Sequence, residues 1–300
     1  MHPARSIILF TTLSGLGFGL LTFLGLGVPD VTGTTAFIFF TLAYLLAGGG
    51  LAASAFHLGH PERALKAFSQ WRTSWLSREA WTSVATLGVM ALYGAGLVFF
   101  DTRLVPIGLL GVLLCLATIV STSMIYASLK TVPRWNHWTT PVLFLVYALA
   151  GGALLAGEVT VAVLFLLVLA ALQAWVWRDG DARFRRAGTT LSTATGLTGG
   201  AVRSFEPPHT GRNYLLTEMV HVVGRRHARK LRAISLVLVS VLPVILLLLP
   251  FSHVLAALAV LSHLAGTMVA RWLFFAEAEH VVGLYYGERQ GSSTSTQTSR

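Results

Sequence analysis

The residues best suited to chemistry fall in two short strings. The first is Phe56-His57-Leu58-Gly59-His60-Pro61-Glu62-Arg63-Ala64 and the second is Ser74-Trp75-Leu76-Ser77-Arg78-Glu79-Ala80-Trp81. Neutral imidazole, with a free pKa near 6.5, can take a proton from a hydroxyl. A nearby carboxylate can receive or relay that proton. A quinol releases two protons with its two electrons, so a site that oxidises it needs such an acceptor, and its flat ring needs apolar and aromatic walls. His57 is the candidate acceptor and Glu79 the candidate relay. Phe56, His60, Trp75, Arg78 and Trp81 are the candidate surroundings. Local physics accommodates a plainer reading equally well. His57 and His60 would then bond lipid headgroups, and Glu79 would be a first-turn acid at the positive end of a helix.

A third string, Arg271-Trp272-Leu273-Phe274-Phe275, closes a long apolar run. A charge at membrane depth is costly and marks function or a paired group; snorkelling to the headgroups is the alternative. Arg271 therefore joins the candidate pocket. Trp135 and Trp138 flank His137 and read as an interfacial aromatic belt. Haem b would need axial histidines on facing helices. The candidates are His57, His253 and His263, but the last two share one run, and no in-span histidine on another helix matches the level of His263. Neither haem nor another metal site is expected. Cys115 is the lone cysteine. It excludes a disulfide within the chain and any iron–sulfur cluster held by several of its own cysteines.

The elements that must position these residues are membrane helices. Of the 300 residues, 54% are apolar and 11% charged, against about a quarter charged in a water-soluble globule. Apolar runs long enough to span a bilayer fall at about 6–28, 36–57, 80–100, 104–127, 140–157, 159–177, 231–250 and 252–275. Backbone in lipid must satisfy its own hydrogen bonds, and barrel-type alternation is missing, so the runs are read as helices. The expected fold is all-α: a polytopic bundle of eight transmembrane helices over 1–286, then a polar tail at 287–300. The apolar run after Arg5 reaches Val28 without a cleavage signal and is expected to be a retained span. Gly15, Gly17, Gly19, Gly25 and Gly27 in the first span and Gly48, Gly49 and Gly50 in the second suit close helix packing.

The net charge of +10 is distributed by topology rather than as a nucleic-acid-binding patch. All but two of the 22 Lys and Arg fall on one side of an eight-span arrangement; the exceptions are Arg103, on the other side, and Arg271, within a span. The positive-inside rule puts that side, with both termini, in the cytoplasm. A long basic loop is expected at about 178–230, first extended, then an amphipathic helix over Tyr214–Arg232. Its basic end carries Arg225, Arg226 and Arg229. That segment suits either anionic headgroups or a soluble partner.

The first two strings, together with Lys130-Thr131-Val132-Pro133-Arg134-Trp135 and Arg271-Trp272-Leu273-Phe274-Phe275-Ala276-Glu277-Ala278, resemble the membrane anchor subunits of the dimethyl sulfoxide reductase family. The resemblance runs from the first span through Tyr286. It implies a haem-free, eight-helix anchor serving anaerobic respiration, which oxidises menaquinol or ubiquinol near His57, with Glu79 at the matching acidic position. It implies an iron–sulfur partner subunit that receives the electrons and a molybdopterin partner subunit that uses them. Arg63, Lys66, Arg225, Arg226 and Arg229 would help to dock that partner. A haem-bearing electron-transfer subunit, a purely structural anchor and a transporter are the alternative readings. Against the last, the charges gather at one surface instead of the midplane.

Overall fold

A computed structural model describes residues 3–55, 61–197, 202–203 and 227–286. Eight helices are long and apolar enough to cross a bilayer: α1 (Arg5–Gly25), α2 (Gly33–Ala55), α3 (Trp75–Phe99), α4 (Val105–Ala127), α5 (Thr139–Ala156), α6 (Val159–Arg186), α7 (Ala228–Leu248) and α8 (His253–Ala276). No strand occurs among the described residues. Glycine ends α5, where Gly157 adopts φ +77° and turns the chain directly into α6. Only 249–252 separate α7 from α8.

Two expected boundaries move. The third span begins at Trp75 rather than near residue 80. Its polar first turn is held by Arg78, whose guanidinium donates to the carbonyls of Trp71 (3.0 Å) and Arg72 (2.8 Å) and lies 4.3 Å from the Trp75 ring centroid. The sixth helix does not stop at Trp177 but runs to Arg186, so the stretch expected to open the basic loop is helical. Asp179 accepts from Arg183 one turn on (2.7 Å), and Arg183, Arg185 and Arg186 favour the negative end of the helix. The amphipathic helix expected at Tyr214–Arg232 lies mostly outside the described residues; its end, from Ala228, is the first turn of α7.

α1 is the hub, packed against α2, α4, α5 and α8. Small residues permit this. A Cβ on Gly19 would stand 2.0 Å from the Ala148 carbonyl oxygen of α5, and one on Gly50 of α2 would stand 2.4 Å from the Ser14 nitrogen of α1. Gly15, on the same helix, has open space at its Cβ position. Gly19→Val is therefore expected to abolish accumulation of the protein in membranes, and Gly15→Ala to leave it unchanged, as read by immunoblot of membrane fractions.

α7 contains a π-helical stretch, Val237–Val241. Pro243 follows it and has no N–H to return to the preceding turn. Two carbonyls there are taken up by α8. The Ser262 hydroxyl donates to Leu238 O (2.8 Å), and His263 Nδ1 donates to Val239 O (2.8 Å).

Arg103, before α4, pairs with Asp30, before α2, at the end of the bundle opposite the basic loops.

Candidate functional site

Glu79 is not at the helix tip. It is the fifth residue of α3 and only 4% exposed, which removes the first-turn reading. Its Oε1 accepts a hydrogen bond from the Thr122 hydroxyl of α4. One turn from Thr122 along α4 and two from Glu79 along α3, the hydroxyls of Thr118 and Thr86 meet at 2.9 Å, continuing a polar seam between the two helices.

The carboxyl borders a cavity of about 540 Å³ between α2, the 3-10 segment Pro61–Gln70 and α3. Ser54, Arg63, Phe68, Leu76, Glu79 and Ser83 are among its lining residues. Small-molecule sites have this size and this mainly apolar wall with a few polar groups, about 300–1,000 Å³. The cavity is bounded by Ala55 and Ala64, the residues that flank the stretch carrying the candidate histidines. Phe56, His57 and His60 themselves lie outside the described residues.

The other candidates sort into different places. Arg78 and Trp81 line a separate surface groove with Trp71 and Thr82. The Trp81 indole donates to Phe68 O (3.0 Å) and meets the Phe68 ring edge-on, so it braces one wall of the cavity from outside. Trp75 holds Arg78. Lys66 and Arg229 are exposed. Arg225 and Arg226 lie outside the described residues.

Arg271 is not beside Glu79 and does not snorkel. It is 3% exposed, with its guanidinium 3.7 Å from the Phe144 centroid and 4.9 Å from that of Tyr147. Such cation–π contacts replace part of the lost hydration. The expected pocket between spans two, three and eight is thus a cavity of spans two and three. Tyr126 lies within electrostatic range of both Glu79 and Arg271. Trp135 is not an interfacial belt residue either. It is 2% exposed, stacks on Phe274 at 5.2 Å and donates its indole N–H to Phe274 O (2.9 Å). Trp138, exposed, keeps the belt position.

Four charged residues close the bundle end nearest the basic loops. Glu277, after α8, accepts from Arg134 (2.7 Å) and Arg232 (2.7 Å), and Asp181 of α6 accepts from the same two arginines (3.0 and 2.6 Å). Arg183 adds a bond to Arg134 O (2.9 Å) and another to the Thr139 hydroxyl (2.8 Å). Neither Thr122 nor Glu277 was singled out from the sequence. A threonine pair one turn apart within an apolar run, Thr118 and Thr122, was the visible signal for the first.

Among the described residues, an all-helical bundle with eight helices long and apolar enough to cross a membrane fits a multi-pass membrane protein. A model of the DMSO reductase anchor subunit (DmsC) family matches residues 1–287, and the chain belongs to that family. It is also 33% identical, over 326 aligned positions, to a sulfite dehydrogenase subunit of Allochromatium vinosum; the match covers 95% of this chain and 99% of the relative. No solved structure matches.

Proposed function

We infer that the chain is the membrane anchor of a molybdopterin oxidoreductase complex in the bacterial cytoplasmic membrane, and that it exchanges electrons between a quinone pool and an iron–sulfur partner subunit. The observation that carries this reading is the buried Glu79 carboxyl at the edge of a cavity large enough for a ring, lined also by Ala55 and Ala64. Quinol enters from the bilayer. His57 binds one hydroxyl and takes its proton. Glu79, oriented by Thr122, receives or relays a proton, while electrons pass to the partner. General acid–base groups of this kind contribute about 10²–10⁴-fold. Arg63, Lys66 and Arg229 lie on the side where that partner docks, and by the positive-inside rule that side is cytoplasmic.

The same groups serve the reverse reaction, because protonation of a reduced quinone retraces their removal of protons. The relative named as part of a sulfite dehydrogenase favours this second direction, with electrons entering the membrane to reduce quinone. His57→Ala tests the site in either direction. The complex should still assemble, and quinone-linked turnover should fall about 100-fold or more. Normal turnover in that variant removes His57 from the mechanism.

A further inference from the structure

Three residues of α8 share one stripe: His263, Thr267 and Arg271, spaced four residues and about 6 Å apart. All three are at least 97% buried. Each presents a polar atom with no hydrogen-bond partner among the described residues: His263 Nε2, the Thr267 hydroxyl and Arg271 Nε. In a bilayer interior such atoms are expensive to leave unsatisfied. The chemistry at the inner end is defined. A carbonyl only accepts, so the bond from His263 Nδ1 to Val239 O puts the ring hydrogen on Nδ1. In the neutral ring Nε2 then carries a bare lone pair. Nε2 lies 3.2 Å from the Cβ position of Gly151 in α5, a position that a Leu16 methyl of α1 approaches to 2.1 Å. The π-helical stretch of α7 supplies that carbonyl, and such stretches recur at functional sites.

The outer end of the stripe has room. A void of about 30 Å³ is lined by Arg271, Tyr147 and Gln173 together with apolar side chains. That volume holds a water molecule, and three polar groups suit its two to four bonds. Tyr147 and Gln173 already bond each other at 2.8 Å, which leaves the guanidinium as the group facing the void without a protein acceptor at Nε.

We propose that α8 carries an internal file of water from the void beside Arg271 to His263 Nε2, a hydration site separate from the cavity beside Glu79. It brings water, and with it exchangeable protons, from the basic end of the bundle to a proton-accepting nitrogen halfway along α8. The hydroxyl of Thr267 bridges the two ends.

The full-length protein in bilayers tests this with silver ion, which moves through narrow aqueous paths and blocks thiols. Thr267→Cys is nearly isosteric and is expected to be blocked at least tenfold faster than Leu261→Cys, a lipid-facing position on the same helix, and than the buried native Cys115. Blocking no faster than at those two positions overturns the proposal. A second reading uses the wild-type side chains. With 15N-labelled histidine, magnetisation should pass from water protons to a ring signal that disappears in His263→Gln. A His263 ring that receives none is dry, and that result also overturns the proposal.

Discussion

Glu79→Gln is expected to lower quinone-linked electron transfer by about 100-fold or more while the anchor remains folded and assembled. The substitution keeps size and shape, and the amide oxygen still accepts from Thr122. It removes only the capacity to carry a proton. Reduction of the proposed iron–sulfur partner by a quinol analogue, followed by electron paramagnetic resonance, measures the effect without depending on the terminal substrate. Thr122→Val is the companion variant. It leaves the carboxyl but removes its orienting donor, and should cost less, on the order of tenfold. Full activity in Glu79→Gln would leave the buried carboxyl as a structural group of the α3–α4 seam.

The second large effect concerns stability. Glu277→Ala leaves Arg134 and Arg232 facing each other over a site from which water is mostly excluded, with half-exposed Asp181 as their remaining shared partner. Removing one member of a buried ion pair costs about 3–5 kcal/mol. The expected result is a large drop in the melting temperature of the purified protein and in its level in membranes. In an Arg232→Ala background the same change should cost less, because one of the two stranded charges is gone. Arg186→Ala provides the contrast: its side chain is 63% exposed and pairs at the surface with Asp179, so about 0–1 kcal/mol is expected.

How far these features are legible in the sequence follows from their range. The eight apolar runs are legible because lipid leaves the backbone few choices. Their ends are less so: Arg78 stabilises a polar first turn through contacts with Trp71, Arg72 and Trp75 that no hydropathy window includes. Glu79 stands out by type and position, but its depth depends on Thr122, 43 residues away. The interfacial reading of Trp135 fails because its partner Phe274 arrives 139 residues later. Glu277 lies just past an apolar run, where carboxylates are ordinary; only the assembled bundle brings Arg134 and Arg232 to it. Pro243 offers no N–H to the Val239 carbonyl four residues back, but only the packed bundle brings His263 of α8 to it.

The enclosure of α1 bears on how the protein is made. This helix leaves the ribosome before α5, with which it is in backbone contact through Gly19 and Gly152. At about 5–20 residues per second, synthesis separates the two by on the order of ten seconds. For that interval the Gly19 surface of α1 has only lipid, or a membrane insertase, against it. α1 thus waits on helices made well after it, α5 and α8, for its full complement of neighbours, and chaperoning of newly made chains should centre on it.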